Sequence, residues 1–538
     1  MHKNRGIFIR AVTTLICLTM FLNPALACID IVAGKDATVD GSVITCHTAD
    51  GAYYDAQIRF IPGQKYPAGT MMDVYFNIIA EEPGGWVKAG QIPQVAETYG
   101  YFHVGYPAMN EHRVAIGETT IAQKDAVKTV MNGGKAILAI EQLEVLGLQR
   151  AKTAREAIQV IGDLAYKYGL MPSCGTEGEC LTITDPDEAW IFHIFSTGFA
   201  WTPESGKPGA VWAAQRVPDD EVVVVPNIAR IRTIDPKDTK NFMVSENYMQ
   251  HAIDVGLYDP KSGPFDYQAA YSPATGNDDW AMDSMWVRNR LYTVHKTLAP
   301  SRDWDPYAEV TSYPFSFKPE KKISVRDVMS LIRSHHDDSV FDMSADPAWL
   351  VPDSDGKMVK SPIATPYPSS YLRDVLHIPY SRPVGVVNCA YSWVSQMRKD
   401  LPETVGGVMW YGFDNPAHTL FVPVYTGTRD TKDTWKGNFD RDKFSFDSAQ
   451  WAFMLQDDIV NWRYQEAIID LKAVRDPIED EFFARQAEIE KKAAELHAKS
   501  PAEASKFLTE YTIECMDKAE KAFWELNFTS IAKYINNR

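Results

Sequence analysis

The stretch that most limits what this chain can become is residues 23–32, N-P-A-L-A-C-I-D-I-V, where an apolar leader ends and Cys28 stands directly before a β-like run. Lys3, Arg5 and Arg10 give the leader a basic start, and residues 11–22, AVTTLICLTMFL, form an apolar core too short to cross a bilayer comfortably. Ala25-Leu26-Ala27 supplies the small-x-small pattern that a signal peptidase reads. The chain is therefore expected to be exported, to the periplasm or out of the cell, and to begin at Cys28 once residues 1–27 are removed. Three readings of Cys28 follow: a lipid anchor, a structural thiol, or the new N-terminus of an enzyme. A lipoprotein signal also ends before a cysteine but prefers Leu three positions before the cut, where this chain has Ala25.

Removing the leader takes away three positive charges and no negative ones, so the formal charge of -17 becomes -20. A surface that acidic disfavours nucleic acid and anionic lipid as partners. Hydrophobic residues make up 45% of the sequence, enough to fill one large core or two. No second apolar run reaches the length of a membrane span. Six cysteines remain after processing, Cys28, Cys46, Cys174, Cys180, Cys389 and Cys515, too few for a disulfide scaffold. Cys174 and Cys180 bracket the loop CGTEGEC and either pair in an oxidising compartment or stay reduced. No CxxC, HExxH or nucleotide-binding glycine pattern is present, and GKDAT at Gly34 lacks the rest of a P-loop, so no cofactor is expected. His335-His336-Asp337-Asp338 sets four ligand-type residues in a row. Adjacent side chains cannot all face one ion and no partner set is spaced to close the shell, so no metal is expected either.

Two β-rich runs, Cys28 to Ala33 and Ser42 to Thr48, flank a turn-rich segment with Asp40-Gly41 and read as a hairpin. CLTITDPDEAWIFHI alternates about Asp185-Pro186-Asp187, and VWAAQRVPDDEVVVVPN does the same about Asp219-Asp220. Residues 135–148 are apolar at helical spacing, and Thr153-Ala-Arg-Glu156 is a capping box opening a helix that stops near Gly169. Residues 324–336 and 389–399 carry further helical patterns, separated by Pro-, Asp- and Ser-rich loops such as 345–370. From Asp447 onward the pattern is strongly helical, and Ser500-Pro501-Ala-Glu503 starts a last long helix. Strands, then helices, then more strands predict an α+β protein with sheets covered by helices. The expected division is a leader at 1–27, a main body at 28–470 and a charged helical hairpin at 471–538 that covers the body or forms oligomers.

An N-terminal cysteine carries a thiol and a free α-amine on one residue. With ordinary pKa values of about 8.5 and 7.7–8.0, the thiolate is within reach at neutral pH and the amine can act as a nearby base.

A series of blocks carries a family resemblance. Cys28-x5-Gly34-Lys35-x-Ala37-Thr38-x-Asp40-Gly41-Ser42-Val43-Ile44, followed by His47-Thr48-x-Asp50-Gly51, is the first. Met109-Asn110-Glu111-His112, Gly117-Glu118-Thr119-Thr120, AKTAREAIQVIGDLAYKYG, GECLTITDPDEAWIFHI, AAQRVPDDEV and Leu401-Pro402-x3-Gly406-Gly407-Val408-Met409-Trp410 continue it. In number and order these blocks resemble the cysteine dipeptidases of the N-terminal-nucleophile hydrolases, relatives of penicillin V acylase and bile-salt hydrolase. The resemblance implies a four-layer αββα sandwich with the nucleophile at the start of a central strand. It implies Cys28 as nucleophile and, through its amine, as base. Where the acylases carry Arg-x-x-Asp, this chain has His47-x-x-Asp50. Asp50 would hold the α-amine by a charge-assisted hydrogen bond, or is an ordinary turn aspartate before Gly51. His47 orients substrate or packs against the sheet.

The same likeness implies that Asn110 donates to the oxyanion, a contact worth roughly 3–4 kcal/mol, or else stabilises a turn. Asn227, after EVVVVP, matches a second pocket asparagine. Arg288 and Arg290 in WVRNR both fit the arginine whose planar fork would bind a substrate carboxylate, and spacing does not choose between them. Trp410-Tyr411 and Trp451 read as core or pocket wall. The implied activity is cleavage of dipeptides through an acyl-enzyme. The rivals are an N-acyl amide hydrolase of the penicillin V acylase or bile-salt hydrolase type, and a lipid-anchored periplasmic binding protein in which Cys28 is acylated.

Overall fold

The computed structural model of the chain describes residues 28–51, 54–80, 85–128, 134–171, 173, 177–273 and 285–535. The cleavage expected after Ala25-Leu26-Ala27 and the question whether Cys174 pairs with Cys180 both fall outside those residues.

Two antiparallel sheets organise the molecule. A six-stranded sheet runs in the order Val222–Val225, Asp30–Ala33, Val43–Asp50, Cys389–Met397, Gly407–Phe413, Val422–Tyr425. An eight-stranded sheet runs Phe242–Val244, Ala210–Arg216, Ala189–Ser196, Gly178–Thr184, Ala115–Ile121, Met109–Asn110, Tyr101–His103, Arg59–Ile61. The sheets meet through short polar side chains: Thr45 Oγ1 lies 2.9 Å from Thr182 Oγ1, and Thr182 donates to Asp30 Oδ2 at 3.3 Å. Helices Ile140–Arg150 and Ala154–Tyr168 pack on the eight-stranded sheet. Helices Val325–Ile332, Ala449–Trp462, Tyr464–His497 and Pro501–Ser530 pack against the six-stranded one, where Phe483 stacks on Trp410 at 4.0 Å and Thr512 donates to Pro423 O. The fold is α+β.

Local signals in the sequence account for several elements. Asp30–Ala33 and Val43–Asp50 pair antiparallel with Val32 opposite Thr45. Thr153 accepts from Glu156 N at 3.2 Å at the start of the Ala154–Tyr168 helix, and Gly169 ends it at φ 79°, a left-handed conformation that favours glycine. Ser324 and Asp327 form a reciprocal capping box on Val325–Ile332. Asp185 accepts from the backbone of Asp187 and Glu188 and so closes the Gly178–Thr184/Ala189–Ser196 hairpin.

One expectation is corrected. The helix expected at 389–399 is the strand Cys389–Met397, paired on one edge with Val43–Asp50 and on the other with Gly407–Phe413. All nine of its residues are buried, and a strand covered on both faces loses the alternation that would distinguish it from a buried helix. The two strands read about Asp219-Asp220 are both present, but they do not pair with each other. Ala210–Arg216 belongs to the eight-stranded sheet, whereas Val222–Val225 pairs with Asp30–Ala33 in the six-stranded one. The turn instead carries the chain between sheets and is clamped by Asp36 and Ala37 N–H groups on Asp219 O. Gly34 faces that turn, and a Cβ there would sit 2.5 Å from the carbonyl oxygens of both Pro218 and Asp219.

At the C-terminal end, helix Tyr464–His497 runs unbroken through position 470, where the sequence suggested that the main body stops. Leu471, Phe482, Ile489, Leu508 and Met516 share one apolar core with the strands.

Candidate active site

Cys28 immediately precedes the Asp30–Ala33 strand and is 2% exposed. Its carbonyl oxygen accepts from Arg290 Nη1 at 3.0 Å and from Thr119 Oγ1 at 3.4 Å, and its thiol lies 3.8 Å from Glu118 Oε2. Arg290 reaches in from the helix Met285–Leu298. Its remaining bonds go to Pro226 O at 3.0 Å, Asn227 Oδ1 at 2.9 Å and Trp286 O at 3.1 Å. The Asn227 amide in turn donates to Thr119 Oγ1 at 2.8 Å and Thr120 O at 3.0 Å. A closed circuit thus runs Cys28, Arg290, Asn227, Thr119 and back to Cys28. Asn227 holds its place at φ 64°, a left-handed conformation that asparagine tolerates better than other side chains with a Cβ.

This circuit separates the two arginines that sequence spacing could not. Arg290 is the one bonded to Cys28. Arg288 lies two positions earlier, about 200° around the helix, and its charge acts on Tyr313. The Arg290 guanidinium, 1% exposed and forked over three carbonyls and one amide oxygen, is already spent. Its fork is engaged by the Cys28, Pro226 and Asn227 oxygens, where the resemblance implied a substrate carboxylate.

Asp50 ends the Val43–Asp50 strand, fully buried, and accepts from Arg382 Nη2 at 2.9 Å. Burial raises its carboxyl, and the charges of Arg382 and Arg290 work against that rise. Burial likewise lowers Arg290, to about 9, with Arg382 adding to the effect and Asp50 opposing it. Arg382 is a site residue that sequence reading missed: it is 332 positions from Asp50, in a loop with no local motif.

His47 is fully buried, with Tyr106, Tyr391 and Trp393 around its ring. Its Nδ1 accepts from Glu118 N at 3.3 Å and lies 3.3 Å from Asp30 Oδ1. Burial lowers its pKa to about 4, so the ring is neutral at neutral pH. It packs between the sheets and ties them together.

Asn110 is not offered to an oxyanion. Both amide hydrogens are engaged, by Leu148 O at 2.9 Å and Ala151 O at 2.8 Å, and its oxygen accepts from the backbone of His112 and Val114. With donors and acceptor all committed to backbone, it fits the turn-stabilising alternative. The His335–Asp338 run also disperses. His335 Nε2 meets Tyr464 OH, and His336 meets Thr293 Oγ1 and Arg382 O.

The surroundings of the Cys28 thiol are rich in carboxyls. Asp30, Glu118, Glu144 and Glu179 are all fully buried. Burial pushes Asp30 and Glu144 well above the usual carboxylate range and Glu118 up to about 7. Glu118 lay inside a quoted sequence block, but nothing local in Gly117-Glu118-Thr119-Thr120 told that its carboxyl would face Cys28.

Comparison with known proteins agrees with the resemblance seen in the sequence. A probable dipeptidase of Salmonella dublin is 25% identical over 424 residues, 76% of this chain and 83% of that protein. Probable dipeptidase B of Streptococcus pyogenes serotype M1 is 24% identical over 515 residues, 93% of this chain and 91% of its own. Dipeptidase A of Lactobacillus helveticus is 22% identical over 449 residues, 81% and 82% of the two chains. A crystal structure of a mutant conjugated bile acid hydrolase from Clostridium perfringens covers 77% of this chain and 95% of that one at 9% identity, with a TM-score of 0.28, too low to bear on fold or function. Residues 27–476 match peptidase family C69 as a whole, from the residue before Cys28 into the first long C-terminal helix, and the chain belongs to that family.

Proposed function

We propose that this chain is an exported dipeptidase. Removal of residues 1–27 frees Cys28 as the N-terminal residue, its thiol attacks the peptide carbonyl, and its α-amine acts as a base. The observation that carries this reading is the hold on Cys28: a buried arginine and a threonine fix its carbonyl while a carboxyl faces its sulfur. A cysteine that merely fills the core needs no such contacts, because its worth there is apolar packing. Attack forms a thioester and releases the C-terminal amino acid, and water then hydrolyses the acyl-enzyme. Asp50 supplies negative charge for the α-ammonium, Arg382 works against the rise that burial imposes on that carboxyl, and Arg290 with Asn227 positions the nucleophile. The two facing sheets, each packed with helices, support a four-layer αββα arrangement in which the C-terminal helices are an integral cover. Dipeptides as substrates are supported by relatives described as dipeptidases.

The test begins with the mature protein. Intact mass and N-terminal sequencing of material secreted by its host should give an unmodified chain starting at Cys28. A diacylglyceryl adduct on that residue overturns the enzyme reading, since it blocks both thiol and amine. That protein is then assayed on Ala-Ala-type dipeptides, their N-acetyl and C-amide forms, a tripeptide, penicillin V and a glycine-conjugated bile acid. A pocket that must satisfy an ammonium and a carboxylate leaves an unpaired charge when the substrate lacks one. Blocked substrates should therefore lose most of kcat/KM. Equal or faster cleavage of N-acyl compounds moves the activity to the amidase class.

A further inference from the structure

We propose that Glu118 is a second catalytic group of the Cys28 centre, the carboxylate that takes the thiol proton when the sulfur attacks, with Glu179 behind it as its positioning residue. The proposal rests on the reading of Cys28 as nucleophile.

The geometry is specific. Glu118 Oε2 lies 3.8 Å from Cys28 Sγ, the separation of a thiol hydrogen bond. Its other oxygen accepts from Thr120 Oγ1 at 3.3 Å, its backbone N–H is anchored on His47 Nδ1, and the Glu179 side chain on the neighbouring strand bonds to it. Ser173 N donates to Glu179 Oε1 at 3.4 Å, which holds that second carboxyl in turn. Glu118 sits on Ala115–Ile121, a strand paired on both edges, so the carboxyl faces the sulfur from a rigid support.

The groups that act most strongly on this carboxyl include no lysine or arginine, although Arg290 holds the Cys28 carbonyl beside it. Among the described residues, the titratable groups around it are Cys28, Asp30 on the first strand, His47 on the second, Glu179 and Cys180 on the adjacent strand and Glu144 on the Ile140–Arg150 helix. His47 is held neutral, and both oxygens of Glu144 find no hydrogen-bond partner among the described residues. A carboxyl kept there for stability alone is a poor bargain, since an apolar residue of the same shape would avoid its desolvation. Desolvation instead raises Glu118 into the range where a group exchanges its proton at neutral pH, as a general base requires.

The placement also resolves a difficulty with an amine acting alone. An α-amine of ordinary pKa is mostly ammonium at neutral pH and in that form cannot accept the thiol proton. With Glu118 present, the ammonium is the competent form. In acylation the S–H bond breaks, its proton passes to Glu118, the C–S bond forms and the C–N bond opens, and the leaving nitrogen takes a proton from the Cys28 α-ammonium. In deacylation the neutral amine takes a proton from water as the oxygen adds to the thioester carbon. The C–S bond then breaks, and the departing thiolate recovers its proton from Glu118. Both groups end in their starting states.

The experiment uses the mature chain from Cys28, an Ala-Ala-type dipeptide, and kcat/KM measured from pH 5 to 9. Wild type should lose activity on the acid side of neutrality. Glu118→Gln keeps the shape and removes the proton acceptor: kcat/KM should fall about a hundredfold or more, and the acid limb should vanish, while mass spectrometry still finds Cys28 alkylated by iodoacetamide. Glu179→Leu removes a bond that favours the ionised Glu118, so its acid limb should move to higher pH, and this variant keeps the test alive should Glu118→Gln fold poorly. A Glu118→Gln enzyme within a few fold of wild type, or with its acid limb unmoved, overturns the proposal while leaving Cys28 as nucleophile. Full turnover by Cys28→Ala is the separate result that overturns the nucleophile itself.

Discussion

Two sets of buried acids in this chain have opposite surroundings. Glu479 and Glu490, on the Tyr464–His497 helix, are each met by a forked guanidinium: Arg333 reaches both oxygens of Glu479, and Arg398 both oxygens of Glu490 at 2.6 and 2.7 Å. Asp30, Glu118, Glu144 and Glu179, around Cys28, are buried at least as deeply, but the bonds that reach Asp30 and Glu118 come from threonines, a neutral histidine, the Cys28 thiol and Glu179. A buried acid met by its own forked arginine braces two elements together. A buried acid without one is pushed toward its protonated form and becomes a group that can move a proton. The same residue type thus serves as a strut under the C-terminal helices and as chemistry beside the thiol.

That contrast can be broken in four ways. The largest effect is expected at Cys28→Ala, which should abolish dipeptide turnover while leaving the thermal midpoint close to wild type, because the sulfur contributes one buried atom to a large core. Retained turnover would remove the chemical half of the comparison. Next is Glu490→Ala, which strands a buried Arg398. Denaturant unfolding should show a loss of about 3–5 kcal/mol, and kcat/KM of the folded fraction should not change. A large fall in kcat/KM without loss of stability would mean that the C-terminal helices act on the site directly.

Asn110→Ala should be milder, about 1–3 kcal/mol, since it frees two buried carbonyls and two backbone N–H groups. Its effect should be read in stability and not in kcat. A hundredfold drop in kcat at unchanged stability would restore the oxyanion role implied by the family resemblance.

The smallest effect is the pH dependence of stability, in which two groups work against each other. His47 titrates near 6.5 when unfolded and about 4 when folded, so the unfolded chain binds the extra proton and stability falls as pH drops through that window. Glu118 titrates near 4.5 unfolded and about 7 folded, so the native chain holds the extra proton and stability falls as pH rises from 4.5 to 7. Between about 4.5 and 6.5 these two slopes oppose, and comparing thermal melts of wild type and Glu118→Gln isolates the Glu118 contribution. Glu118→Gln should gain stability relative to wild type as pH rises to 7, and a constant difference across that range would show that Glu118 ionises in the folded protein as it does in water.

Local rules made much of the fold readable. The Thr153 cap, the Gly169 stop, the Ser324 capping box and the Asp185 hairpin are each decided by a few consecutive residues whose hydrogen bonds close on one another. The strand Cys389–Met397 was misread because burial on both faces erased its alternation, and the strands about Asp219-Asp220 were legible although a turn sequence does not say which sheet receives each.

For the site, the chain by itself determined that Cys28 follows a basic and then apolar segment and that residues 27–476 match peptidase family C69, since both are written in the order of residues. Tertiary structure alone decided between Arg288 and Arg290, withdrew Asn110 into a turn, and brought Arg382 to Asp50 across 332 positions. It also decided that Glu118 faces the sulfur with Thr120 and Glu179, rather than an arginine, bonded to its carboxyl. The physical reason is that a side chain's bonding partners and its solvation belong to the assembled interior. Desolvation, which turns an ordinary glutamate into a proton carrier, has no counterpart in the order of residues along the chain.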